Sequence, residues 1–248
     1  GRSLVRVIQR DEQTLEVQAS GEHDGWVLPI VARMLGTHVD LAAWHQRSAT
    51  IPWLAPLARD FRGMKPPQYA SLWEALAHAI VFQQISIHAA ASIMRRIVIA
   101  LGTRAEAFDF FAFPTPQALL DASVETLRGA GLSQNKVMHL RSAAEAVVSE
   151  EVNDAEIEAL TTEEAAERLV AIRGIGRWSA AVVLLRGFGR LDTFPMNDSG
   201  VARTVKALSG DAEVDLTGVL QQLGPERGML YYHLLLGRIR NLSVAPRD

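Results

Sequence analysis

A chain of 248 residues, 48% apolar and 21% charged, has material for two modest domains or one large one and for a substantial core. Its formal charge of −3 lacks the overall basic excess common among nucleic-acid binders, and the absence of cysteine excludes disulfides and thiolate-held clusters. No apolar run reaches the ~20 residues that span a bilayer, and no segment reads as a secretory leader.

Residues 4–19 alternate weakly, with Leu4, Val5, Val7 and Ile8 followed by Leu15, Val17 and Ala19. They predict two strands joined near Asp11-Glu12-Gln13. Residues 27–60 predict short helices broken by Pro52 and Pro56. From residue 68 onward helical patterns follow one another: 70–83, 86–101, 116–121, 123–130, 133–149, 162–171, 177–187, 199–208, 215–222 and 225–236. Thr161 and Glu164 form a capping-box pattern, Pro225 suits the first turn of the last helix and Gly237 its end. The expected division is a shortened α/β region over 1–65 and a helical region over 66–248, with the chain termini packing together across the two parts. His88, His139 and His233 have no metal-ligand spacing.

Residues 169–198 carry most of the information. Gly174-Ile175-Gly176 lies between two helical stretches, and an acidic residue, Asp198, follows 22 residues after Gly176. A Gly-x-Gly turn lets backbone N–H groups approach a phosphate closely, at a helix start whose dipole favours an anion. A carboxylate held at a set distance beyond such a grip points to chemistry on nucleic acid. Two plainer readings stand beside it: an ordinary turn, and an aspartate that caps the next helix. Arg173, Arg177, Arg186, Arg190, Arg203 and Lys206 gather around this stretch in sequence, so a local basic face is expected on an acidic protein.

The pattern G-I-G-R-W-S-A followed by D-T-F-x-x-x-D resembles the helix-hairpin-helix (HhH-GPD) DNA glycosylase superfamily. The resemblance implies a mainly α glycosylase fold with a short antiparallel N-terminal portion. It places the hairpin on Gly174, Ile175, Gly176 and Arg177 and the catalytic aspartate on Asp198. Arg173 stands where the family usually has proline. In the branch that also cuts the DNA backbone, a lysine two residues after the second hairpin glycine attacks the sugar; here that residue is Trp178, which implies a monofunctional enzyme without lyase activity. With no cysteine, the iron–sulfur cluster of other branches is excluded as well.

Tryptophan at this position is similar to the 3-methyladenine DNA glycosylase II (AlkA-type) branch. Three further stretches agree: Arg62 to Pro67, Leu72 to Ser86 with its Gln83-Gln84 break, and Leu127 to Lys136. The first 45 residues match poorly. The resemblance implies hydrolysis of the N-glycosidic bond of alkylated bases, of the 3-methyladenine and 7-methylguanine type, flipped out of duplex DNA. Deaminated purines, etheno adducts, mismatched thymine, or a non-catalytic DNA-binding module are the alternatives. Trp178, Phe82 and Tyr232 are the expected pocket aromatics, Gln84 the wedge that fills the gap, and Lys136 a phosphate contact. Further family aromatics fall on Val182 and Leu235. The resemblance also implies a sodium or potassium ion at the hairpin carbonyls of Ile172 and Ile175 and no other cofactor. It implies damaged double-stranded DNA as partner, no membrane, a monomer, and a location in the cytoplasm with the bacterial nucleoid or in a eukaryotic nucleus.

Overall fold

Fourteen α-helices and two small antiparallel ribbons make up the described residues of the computed structural model, which are 4–20, 25–105, 110–210 and 212–244. In chain order they are β1 (Val5–Gln9), β2 (Leu15–Ala19), α1 (Val27–Leu35), α2 (Ala42–Ala49), α3 (Ala55–Asp60), α4 (Leu72–Phe82) and α5 (Ile87–Leu101). Next come β3 (Arg104–Ala105), β4 (Phe110–Phe111), α6 (Pro116–Asp121), α7 (Val124–Gly129), α8 (Gln134–Val148), α9 (Asp154–Ala159) and α10 (Thr162–Val170). The chain continues through α11 (Arg177–Phe188), α12 (Ser199–Ser209), α13 (Leu216–Leu223), a 3-10 turn (Gly224–Glu226) and α14 (Gly228–Val244). The mainly α class with an antiparallel N-terminal pair is therefore as expected.

Many helices begin where a short polar side chain takes up a first-turn N–H group. Ser71, Ser86, Thr115, Ser123, Ser133, Asn153, Thr161 and Asp215 each accept such a bond, worth ~1 kcal/mol apiece. The capping box of Thr161 and Glu164 forms as its spacing indicates.

Three local expectations are corrected. Gly237 lies inside α14 rather than at its end, and a β-carbon there would stand 3.0 Å from a Leu57 methyl, a close approach that glycine accommodates. Pro225 belongs to the 3-10 turn that precedes α14. Helix α9 was not anticipated; it hides in an acidic stretch, is six residues long, and buries only Ile157.

Two compact units emerge: Gly1–Ala70 together with Ser199–Asp248, and Ser71–Asp198. The division thus falls at residue 70 rather than 65, and α12, α13 and α14 belong with the N-terminal region rather than with the hairpin. The first unit centres on Trp44, Leu54, Leu57, Leu223, Leu230 and Leu234, all at most 2% exposed. The second packs α4 against α8 and α11 around Leu76, Ile80, Leu140, Leu184 and Leu185. Gly187 permits that approach, since a β-carbon there would lie 2.8 Å from that of Ala75.

Each unit buries a histidine. His233 donates from Nδ1 to the Met229 carbonyl (2.8 Å) and packs on Trp44 at 4.8 Å. His78 donates to the Glu74 carbonyl (2.9 Å) between the rings of Phe82 and Phe113. Burial lowers both pKa values to about 4. A depressed folded-state pKa makes stability complete above the ordinary value near 6.5 and progressively lost as pH falls toward 4. Each group accounts for up to roughly 3 kcal/mol of that loss. His233→Leu is expected to melt with a shallower dependence on pH than the unaltered protein between pH 6.5 and 4.5; parallel Tm-against-pH slopes would contradict this.

Candidate active site

The site is built on the unit formed by Ser71–Asp198. Helix α10 ends at Val170, and the Ile175 N–H donates to the Ile172 carbonyl at 3.0 Å, closing the hairpin. Both isoleucines are buried and anchor the turn from below. Gly174 has φ +92°, a region that side chains rarely adopt, and a β-carbon there would collide with the His139 ring on α8. Gly176 differs. Its φ of −93° suits any residue, and nothing within the chain lies near its missing β-carbon. It is the exposed N-cap of α11 and offers no side chain to the first-turn N–H groups. The fold demands glycine at 174; at 176 the absence of a side chain leaves the helix start open to solvent, as approach of a phosphate requires.

From that start, Val182 and Leu185 are buried on α11, while Trp178 is half-buried. Helix α11 ends with Gly189 at φ 64°, and the loop beyond it buries Phe194 and Pro195. Thr162 Oγ donates to Asp192 Oδ2 at 2.8 Å, tying this loop to α10. Asn197, at φ 63°, turns the chain just before Asp198. The half-buried Asp198 carboxylate then accepts a hydrogen bond through Oδ2 from Trp178 Nε1 at 3.0 Å. The residues at the two ends of the sequence motif therefore meet directly.

The break after α4 joins the same construction. Gln83 leaves the helix with ψ 131°, and Gln84 is exposed at φ 58°, a left-handed conformation that costs a non-glycine residue ~1 kcal/mol. Ser86 then caps α5. Gln83 Nε2 donates to the Gly174 carbonyl (3.0 Å) and to Ser179 Oγ (2.8 Å). One amide thus ties the end of α4 to both the hairpin and the first turn of α11. The place of Gln83 beside Gln84 is the one signal the sequence offers for this role, and nothing local points to Ser179 or His139.

Lys136 and Arg190 make contacts that the sequence did not suggest. Lys136 was expected on phosphate. Its ammonium instead donates to the carbonyls of Val81 (2.6 Å) and Gln83 (2.8 Å), where the end of α4 offers unpaired oxygens, and burial lowers its pKa. Arg190 donates to the carbonyls of Glu158 (3.0 Å) and Leu160 (2.9 Å) at the end of α9, so it stabilises a helix terminus and leaves the basic face to others. Arg173 and Arg177 are exposed beside the hairpin. Arg203 and Lys206 are exposed in the other unit. The Phe82 ring is half-buried with its centroid 6.0 Å from that of His78. Tyr232 belongs to the other unit, is 3% exposed, and donates its hydroxyl proton to the Pro67 carbonyl (3.1 Å). Val182, at a position where the family carries an aromatic residue, is core.

The hairpin thus leaves the start of α11 without a side-chain cap, and Trp178 ties that helix to the Asp198 carboxylate. The chain belongs to the family described as HhH-GPD superfamily base excision DNA repair protein, whose model matches residues 77–223. Among curated relatives, DNA-3-methyladenine glycosylase 1 of Schizosaccharomyces pombe is 32% identical over 149 residues, 60% of this chain. The match takes in 62% of that relative's own length. Among solved structures, the 3-methyladenine DNA glycosylase of Archaeoglobus fulgidus superposes with a TM-score of 0.80 at 29% identity, covering 98% of this chain and 84% of that one. The Schizosaccharomyces pombe 3-methyladenine DNA glycosylase Mag1, in complex with abasic DNA, superposes at 0.66 with 26% identity over 79% of this chain and 95% of that one.

Among the described residues no helix is long and apolar enough to cross a membrane, and no cluster of histidine and carboxylate side chains could hold a metal ion.

Proposed function

We propose that this protein is a monofunctional DNA glycosylase that releases alkylated bases, 3-methyladenine and 7-methylguanine among them, from double-stranded DNA and leaves the strand intact. The observation that carries the reading is Asp198 held by Trp178 at the start of the hairpin helix. An aspartate there can face the sugar of a nucleotide whose phosphate rests on the helix N-terminus, and the residue at the lysine position carries no amine. The relatives' names support alkylated bases as the substrate class.

The hairpin and α11 take a phosphate through backbone N–H groups, with Arg173 and Arg177 adding charge. The target nucleotide leaves the stack, and Gln84, already on an exposed bend, enters the gap. The bond between the base nitrogen and C1′ then breaks, and its electron pair leaves with the base. An alkylated purine is already cationic, so it departs neutral without an added proton. Positive charge grows on the sugar, where the Asp198 carboxylate stabilises it. Water adds to C1′, and its proton passes to the carboxylate. The Ile172 carbonyl accepts a hydrogen bond from the Ile175 N–H, and its second lone pair would suit the cation site that the family implies. With the Ile175 carbonyl, a sodium or potassium ion there would offset the hairpin's carbonyl dipoles beside a phosphate. The protein acts as a monomer in the compartment that holds the genome.

Gln84→Ala is expected to slow excision of a paired lesion by about tenfold and to spare initial binding, with a smaller defect on an unpaired lesion where less stacking is broken. A 2-aminopurine signal beside the lesion reads the flipping step; normal flipping with equal defects on both substrates would return Gln84 to a helix-junction role. The reading as a whole is tested by base release from duplexes carrying 7-methylguanine, 3-methyladenine, 1,N6-ethenoadenine or hypoxanthine. Release of the two methylated purines is expected. Release of only the other bases would change the substrate class, and release of none would leave a DNA-binding module.

A further inference from the structure

We infer that Lys136 is a positioning residue for the Gln84 wedge, and that together with Gln83 it couples the wedge to the phosphate-binding hairpin. This rests on the reading of Gln84 as the residue that enters the gap left by the flipped nucleotide. Lys136 stands in the first turn of α8 and is half-buried. Its ammonium donates to the Val81 carbonyl (2.6 Å) and to the Gln83 carbonyl (2.8 Å). Both lie at the end of α4, where the helix dipole is negative and carbonyls need partners from outside the helix. The Gln83 carbonyl is part of the peptide that leads into Gln84, so the ammonium fixes the plane from which Gln84 departs at φ 58°. Beyond the bend, the Ser86 hydroxyl accepts from the Ala89 N–H at the start of α5. The bend is thus gripped on both sides, by α8 on one and by a helix cap on the other.

The same grip reaches the hairpin. While Lys136 holds its carbonyl, the Gln83 side chain donates to the Gly174 carbonyl (3.0 Å) and to Ser179 Oγ (2.8 Å). His139 follows Lys136 by three residues on the same face of α8, and its ring occupies the space beside Gly174. One helix therefore backs both the bend that carries the wedge and the turn that takes the phosphate. All of these residues belong to the unit Ser71–Asp198. A phosphate seated on the hairpin thereby sets where the wedge meets the base stack. The left-handed conformation of Gln84 is costly for a residue with a side chain, so releasing the Gln83 peptide would let the chain relax and draw the side chain out of place.

The test is a mutant cycle read at the flipping step. Lys136→Met keeps an apolar stem and loses the ammonium. On 7-methylguanine paired with cytosine, with 2-aminopurine beside it, the variant should flip and release the base roughly fivefold more slowly than the unaltered protein. The same lesion mispaired with adenine, where less stacking is broken, should show a smaller loss, which also demonstrates a folded and active variant. In a Gln84→Ala background the substitution should cause no further slowing. Lys136→Gln, which keeps a neutral donor near the carbonyls, serves the same cycle where methionine lowers Tm below the assay temperature. Normal flipping by Lys136→Met beside impaired flipping by Gln84→Ala would overturn the positioning role alone. Equal losses on both lesions, or the full loss repeated in the Gln84→Ala background, would overturn it by showing a general structural defect. Weaker binding to undamaged duplex with a shallower salt dependence and normal flipping would overturn it by placing Lys136 on a phosphate. Normal flipping by Gln84→Ala would overturn the wedge reading, and this role with it.

Discussion

Asp198→Asn is expected to lower single-turnover base release by about a hundredfold or more, the scale on which a group aimed at transition-state charge acts. The substitution is nearly isosteric. The asparagine amide oxygen still accepts from Trp178 Nε1, so the bond between the loop and α11 survives. What disappears is one negative charge beside a sugar that becomes positive as the base departs, together with the acceptor for the proton of the attacking water. Affinity for undamaged duplex should be unchanged or slightly higher, because a repulsive charge near phosphate is gone. Release within threefold of the unaltered rate would remove Asp198 from the chemistry.

Gly174→Val is expected to be the most damaging single change in the hairpin. It fails on two independent counts: a β-branched residue does not tolerate φ +92°, and the new β-carbon overlaps the His139 ring. The hairpin would have to open, breaking the Gln83 bond to the Gly174 carbonyl as it does so. A loss of ~3 kcal/mol or more in stability and loss of duplex binding should follow together. Gly176→Ala provides the contrast. Its backbone accepts alanine and its surroundings are open, so Tm should stay within a few degrees while duplex affinity falls and depends less steeply on salt. Unchanged affinity in Gly176→Ala would show that the phosphate does not approach this helix start.

Why some of this was legible in the sequence and some was not follows from the range of the forces involved. Helix starts depend on neighbours three residues apart, so Ser133, Thr161 and Ser86 announce them. The hairpin and Asp198 are legible because glycine conformations and a fixed chain length are local properties. Helix α14 runs past Gly237, a glycine whose close neighbour is Leu57, far away in sequence. Lys136 was misplaced for the same reason: a lysine in a polar first turn looks solvated until α4 brings two carbonyls over it. Gln83 joins segments 91 and 96 residues away, and no local pattern encodes such a bond. The union of the N-terminal region with α12, α13 and α14 is likewise a matter of packing, expressed in contacts such as that between Arg47 and Glu226.

The central claim, hydrolysis of the base–sugar bond by Asp198 without strand cleavage, is tested most directly in one reaction. A duplex with a single 7-methylguanine is incubated with the protein in the presence and absence of borohydride. The free base is measured by chromatography and the strand on a denaturing gel before and after alkali. The account predicts free 7-methylguanine, a strand that breaks only after alkali, and no adduct with borohydride. A strand already cut, with protein trapped on it by borohydride, would contradict it.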